Sequence, residues 1–228
     1  MITYKHINEI IKHEFPENIS FNNIGLVGCS EKNTLTYCID QKYIHPINSN
    51  KNITGVIIQE KLKAKLRNDI LPILADEPQL AFFKLYNHVH MSLYKKIKTK
   101  IDRTAIIHKS SSIAEHNVII GKNVTIEPNV SILPDVVIGD NCVIKANAVL
   151  GVDDVEAKMT SEGLINVFHN GKIIIQENVS IGANTTIVKG VYGQDTIINQ
   201  GTFVSNNCHI GHSVQIGKYC LILTCFIC

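Results

Sequence analysis

Isoleucine or another small residue returns at every sixth position through the second half of this chain. The column runs His108, Ala114, Ile120, Ile126, Ile132, Ile138, Ile144, resumes as Ile175, Ile181, Ile187, and again as Ile198, Val204, Ile210, Ile216, Ile222, fifteen hexads in all. Four residues after each stands a second, mostly small or β-branched column that includes Val118, Val124, Val130, Cys142, Thr185, Val191, Cys208, Val214 and Cys220. A period of six fits neither a helix nor an ordinary amphipathic strand, but three hexads close one triangular coil of a solenoid. Between the columns, the residue three after the first column is Asn, Asp or Gly in eleven of the fifteen hexads: Asn117, Asn123, Asn129, Asp135, Asn141, Asn147, Asn178, Asn184, Gly190, Gly201 and Asn207. These types tolerate positive φ, so each hexad is read as a short strand followed by a tight corner.

The remaining composition sets bounds. A chain of 228 residues, 45% hydrophobic and 18% charged, can bury a core in one or two domains. A formal net charge of +2 argues against a nucleic-acid partner. The opening segment places Ile7, Ile10, Ile11 and Phe15 at helical spacing among charges, without a long apolar run, and reads as a folded helix instead of a secretion signal or a transmembrane segment. Seven cysteines, three of them (Cys142, Cys208, Cys220) in the inward column, point to small core residues in a reducing compartment. Cys225 and Cys228 form a CxxC, but no second pair with ligand spacing accompanies it, so no metal site is expected.

Two domains follow. Residues 1–97 lack the hexad and contain the opening helix, a strand-like run around Val56, and a second helix from about Asp76 to Tyr94, with Asp76 as cap and Pro78 in its first turn. This is a small α/β unit. Lys95, Lys96, Lys98, Lys100 and Arg103 crowd the junction, as a solvated linker or as a dock for an acidic carrier protein. Residues 98–228 form the solenoid, which is interrupted twice. A loop is expected to leave one corner at about 151–174, and the stretch from Gly193 to Ile197 is one residue short of a hexad.

The hexads resemble those of hexapeptide-repeat proteins, which implies a mainly β chain: a left-handed parallel β-helix with a small N-terminal α/β domain. The run from Gly182 to Gly217 narrows the resemblance to the UDP-3-O-acylglucosamine N-acyltransferases of lipid A biosynthesis, whose catalytic histidine lies in a stretch shaped like QIAHNVxIG; this chain has HIGHSVQIG. The resemblance makes His212 the catalytic base and Asn206, from the same stretch, a substrate-binding residue. An amine attacking a thioester must lose a proton, and a neutral imidazole, with a pKa of about 6.5, is suited to take it. At its hexad position the His212 side chain is expected to project outward from a corner. His209, His108 and His116 are expected to be structural.

A second likeness lies in the first domain. Where the family carries a uracil-binding motif of the form (T/S)-F-L-x-N-x-K-Y, this chain has TYCIDQKY, which implies Tyr37 and Tyr43 as stacking residues and Asp40 at the asparagine position. A carboxylate there can accept a hydrogen bond but cannot donate one. The family's TTIDRG is here TTIVKG, with Val188 and Lys189 replacing acid and arginine. The resemblance further implies a cytoplasmic homotrimer that needs no bound cofactor and takes its acyl group from acyl carrier protein or acyl-coenzyme A, with a UDP-amino sugar as acceptor. The strand stacked beyond His212 would fall near position 230, so the chain is expected to be a C-terminally shortened relative. Two other readings stand beside this one: an acetyl-coenzyme A-dependent nucleotide-sugar acetyltransferase of surface polysaccharide, and an inactive solenoid that only binds a nucleotide sugar.

Overall fold

The computed structural model describes residues 2–11 and 19–224. Phe15, Cys225 and Cys228 lie outside them. The chain divides into two compact units, Met1–Tyr94 with Glu156–Phe168, and Lys95–Val155 with His169–Cys228.

In the first unit, β1 (Ile2–Thr3) leads into α1 (Tyr4–Ile11) and pairs with β2 (Ser20–Phe21). A four-stranded parallel sheet follows, built from β3 (Asn23–Ile24), β4 (Thr34–Cys38), β5 (Ile53–Ile58) and β6 (Leu71–Leu74) in that order. α2 (Ile44–Ser49) and α3 (Glu60–Lys63) lie in its crossovers, and α4 (Pro78–Leu93) closes the unit. β5 is buried at Val56, Ile57 and Ile58, as a strand covered on both faces must be. α4 begins at Pro78 as the sequence suggests, but its cap is Glu77 and not Asp76, and no side chain bonds the cap. Proline at the first helical position already removes one of the orphan donors there. Arg67 ties the unit together: its guanidinium donates to the carbonyls of Ile47, Asn48, Asn50 and Ile53, satisfying the end of α2 and the turn into β5.

The second unit is a coil of parallel strands. Its first turn is β7 (Lys100–Ile101), β8 (Ile106–Ile107) and β9 (Ser112–Ile113); its second is β10 (Val118–Ile120), β11 (Thr125–Ile126) and β12 (Ser131–Ile132); its third is β13 (Val136–Ile138), β14 (Val143–Ile144) and β15 (Val149–Val152). A hairpin of β16 (Ala157–Thr160) and β17 (Gly163–Asn166), which belongs to the first unit, occupies the expected loop. The coil then resumes with β18 (Ile173–Ile175), β19 (Ser180–Ile181) and β20 (Thr186–Val188), continues with β21 (Thr196–Ile198), β22 (Phe203–Val204) and β23 (His209–Ile210), and reaches β24 (Gln215–Ile216) and β25 (Leu221–Ile222). Strands stack into three faces: β7, β10, β13, β18, β21 and β24 form the first, β8, β11, β14, β19, β22 and β25 the second, and β9, β12, β15, β20 and β23 the third.

The two sequence columns are the core of this coil. Ile126, Ile144, Ile181 and Val204 stack in register on the second face, with Val124, Cys142 and Val179 buried in the same core. Burial pushes the Cys142 thiol up to about 11, so it stays protonated and packs as a small apolar group. Where the inward column is threonine, the hydroxyl bridges coils. Thr185 donates to the Ser205 carbonyl and accepts from the Cys208 N–H, and Thr202 does the same with Gly217 and Cys220. Corner asparagines take φ of 54 to 60° at 117, 123, 129, 141, 147, 178, 184 and 207. They also ladder across coils, Asn123 to Asn141 at 3.1 Å and Asn129 to Asn147 at 3.2 Å.

Four details of the periodic reading change. Ile107 and Ile113, not His108 and Ala114, pair with Ile126 and Ile132, so the first coil is registered one residue earlier. Gly190 is not a positive-φ corner; Tyr192 and Gly193 take that role, and Ser213 and Tyr219 adopt the same conformation without being Asn, Asp or Gly. The basic junction is not only linker, because Lys100 and Ile101 already form β7. Val214, placed in the inward column by spacing, is exposed.

Candidate active site

Every departure from the six-residue spacing falls on one corner, the one joining the third face to the first. One residue is added between Ile113 and Ile120, the hairpin segment leaves between Leu150 and Ile175, and a broad turn lies between Ile187 and Ile198. That last segment is therefore one lengthened corner, not a hexad with a residue missing. Strand register is kept across each insertion, as Val136 to Ile138 pair with Ile173 to Ile175, and these in turn with Thr196 to Ile198. Added residues at a single corner cost little because loop-closure entropy grows slowly with length, and they concentrate adaptable chain on a rigid scaffold.

His212 sits at this corner in the next coil, between β23 and β24. Its neighbour Ser213 anchors it to the coil below: the Ser213 N–H donates to Thr196 Oγ1 at 2.9 Å, and its hydroxyl accepts from the Val191 N–H at 3.1 Å. The lengthened corner is itself held by Asn170, whose Oδ1 accepts the Gly193 N–H at 2.9 Å. Beside Asn170, His169 is 2% exposed and meets the His212 ring edge to face, with centroids 6.0 Å apart and planes at 77°. The Asp154 backbone N–H donates to His169 Nε2 at 3.3 Å. His212 therefore does not simply project outward, as its hexad position suggests; it is partly buried against a second imidazole.

Charged groups lie along the same corner of other coils. Lys189 Nζ, buried after β20, lies 3.6 Å from Asp135 Oδ2 and 3.1 Å from Asp153 Oδ1, while Asn117 donates to the other Asp135 oxygen at 3.0 Å. His209 is exposed, with Nε2 3.9 Å from the Asp154 carboxylate. Among the described residues no group of three or more His, Cys, Asp or Glu side chains is arranged to hold a metal ion.

Of the other sequence-derived residues, Asn206 shares the coil with His212, and Tyr37, Asp40 and Tyr43 belong to the first unit. Asn206 occupies the corner between the second and third faces, where its Oδ1 accepts the Ala183 N–H at 2.8 Å and so binds one coil to the next. In the first unit, Tyr37, Asp40 and Tyr43 gather at the carboxyl end of β4, where ligands of parallel sheets commonly sit. Tyr37 packs on Phe82 and Phe83 at 4.6 and 5.5 Å, and burial, with Tyr43 nearby, raises its phenol pKa. Asp40 Oδ1 accepts the Lys42 N–H at 2.9 Å, capping a short turn, and Lys42 Nζ lies 5.1 Å from the centre of the exposed Tyr43 ring.

The family model for the bacterial transferase hexapeptide (six repeats) matches residues 117–151, within the second and third coils. A UDP-3-O-acylglucosamine N-acyltransferase of Helicobacter hepaticus is 34% identical over 241 residues, covering 97% of this chain and 72% of that protein. This chain belongs to the UDP-3-O-acylglucosamine N-acyltransferase family. Membership fixes the sense of the coil: it is a left-handed parallel β-helix, an exception to the usual right-handed crossover. The family enzyme of Rhizobium rhizogenes is 44% identical over 75 residues, which span 33% of this chain and 21% of that protein. A solved UDP-N-acetylglucosamine acyltransferase superposes with a TM-score of 0.38 at 25% identity, over 55% of this chain and 50% of its own.

Within this family member, sequence reasoning missed His169. It lies past the hairpin in a stretch without periodicity, and the only available signal was a histidine beside Asn170 and Gly171 where the hexads are about to resume.

Proposed function

We propose that the chain acts in N-acylation, moving a 3-hydroxyacyl group from acyl carrier protein to the amine of a UDP-3-O-acylglucosamine-like sugar, with His212 as general base. The observation that carries this reading is the placement of His212 on the one corner where the coil is irregular, anchored through Ser213 and packed on the buried His169. The acceptor nitrogen attacks the thioester carbonyl carbon as His212 takes its proton. The C–S bond then breaks, an amide remains, and the departing thiolate receives the proton from His212.

Three further features support the finer parts. Tyr43 and the half-buried Tyr37 at the end of β4 offer aromatic surface for uracil, and Asp40, with one oxygen already engaged, has the other to accept the ring N–H. Lys95, Lys96, Lys98, Lys100 and Arg103 are all exposed, a basic strip suited to an acidic carrier. Ile119, Val137, Ile174 and Ile197 line up on the outer side of the first face, an apolar stripe on adjacent strands that further copies of the chain would cover in a homotrimer.

Mass spectrometry tests the reaction. Incubation of the protein with UDP-3-O-acylglucosamine and 3-hydroxyacyl carrier protein is expected to yield a diacylated UDP-sugar whose new acyl group resists mild base, as an amide does. A product formed only from acetyl-coenzyme A would make the chain an acetyltransferase, and no product from either donor would overturn the reading.

A further inference from the structure

His169 has no role in the sequence-derived account, yet it is a nearly inaccessible imidazole in contact with the candidate base. The direction of its hydrogen bond with Asp154 is fixed, because a backbone N–H can only donate. Nε2 of His169 must therefore carry a lone pair, so the ring is neutral and its single proton resides on Nδ1. Protonating it would cost that bond and place a buried cation against His212. Asp154 immediately follows the base of the extruded segment, which Lys189 also grips through Asp153. One chain of contacts thus runs from the base of the insertion through a locked imidazole to the His212 ring.

We propose that His169 is a positioning residue for His212. Its ring fixes the plane of the His212 imidazole at the corner and keeps a second positive charge away from it. The ring-to-ring distance of 6.0 Å and the angle of 77° are those of an edge-to-face aromatic pair, which restricts rotation of the more exposed partner. The charged and titratable groups on the surrounding elements are Asp153 and Asp154 after β15, Lys189 after β20, Asp135 before β13, His209 on β23, and Lys172 and Asp195 on the segments that carry His169 and the lengthened corner, where the Lys172 N–H donates to Asp195 Oδ1. The base of the insertion then supplies the group that orients the candidate general base. The catalytic part of this inference rests on the function proposed above, whereas the ring geometry does not.

The test uses the full chain labelled with ¹⁵N-histidine, as wild type and as His169→Gln, whose side-chain carbonyl can still accept the Asp154 N–H but offers no ring. In the wild type, ring-nitrogen spectra are expected to show His169 as the Nδ1-protonated tautomer between pH 6 and 8 (approximately the range in which free imidazole titrates). In His169→Gln the His212 resonances and their titration midpoint are expected to move. Turnover in the same variant is expected to fall by about tenfold or more in kcat, with KM for the nucleotide sugar little changed, as for a misoriented catalytic group. A wild-type His169 that is charged or protonated on Nε2 overturns the inference even if the variant does not fold. Unmoved His212 resonances in a folded variant also overturn it. If the wild type shows no turnover at all, the proposed function fails, while the spectra still decide whether His169 orients His212.

Discussion

Replacing Lys189 by methionine is expected to destabilise the coil by about 3 kcal/mol, the lower end of what removing one partner of a buried ion pair costs. The ammonium sits among groups that differ in exposure: the side chains of Lys189 and Asp135 are each 10% exposed, but that of Asp153 is 58% exposed. At 3.6 Å and an effective dielectric constant of about 20, the Lys189–Asp135 attraction is worth roughly 4–5 kcal/mol, whereas the Asp153 contact is screened and contributes roughly 1 kcal/mol or less. Methionine preserves most of the buried stem, so the loss is electrostatic. Asp135 keeps the Asn117 amide, which limits the damage. Urea unfolding followed by circular dichroism checks this, with a midpoint lowered by about 1–1.5 M for an m-value of about 2–3 kcal/mol/M. Adding Asp135→Asn should recover most of the loss. Asparagine tolerates the φ of 68° at that corner and leaves no buried carboxylate without its cation. A single variant within about 0.5 kcal/mol of wild type would refute the reasoning, since that is the range of an ordinary surface substitution.

Burial holds His90 down to about 4, whereas an unfolded-chain imidazole takes up its proton near 6.5. Between those values only the unfolded state binds the proton, so stability is expected to fall as pH drops from about 6.5 to 4, by on the order of 2–3 kcal/mol. Chemical denaturation across that window, compared with a His90→Leu variant of flatter profile, is the check. Tyr43→Ala should weaken UDP binding by about 1 kcal/mol in calorimetry, and an unchanged affinity would remove this ring from the nucleotide site. Val137→Arg, in the middle of the apolar stripe on the first face, is expected to shift a trimer toward monomer in sedimentation; an unaltered distribution would place the interface elsewhere.

The coil was legible because its core is one-dimensional. Residues such as Ile126, Ile144 and Ile181 repeat the same contact at the same spacing, and the corner asparagines announce where φ turns positive. The first two hexads were misregistered for a local reason: the extra residue between Ile113 and Ile120 lets His108 and Ala114 keep step with Ile120 although Ile107 and Ile113 make the stack. Ser213 and Tyr219 show that stacking between coils can impose a left-handed corner on residues that would not choose it. His212 could be marked from its motif, but its surroundings could not. Three separate stretches, 169–170, 191–194 and 212–213, meet there only because each lies on the same corner of successive coils. Asn206 illustrates the converse, since six residues before His212 is one whole side of the triangle away.

The central claim, that His212 is the base, is tested most directly by measuring amide-forming turnover for wild type and His212→Ala beside UDP affinity for both. In His212→Ala, kcat is expected to fall by about a hundredfold or more, the usual worth of a positioned general base, while nucleotide affinity and thermal stability stay near wild type. Turnover in His212→Ala equal to that of the wild type would contradict it.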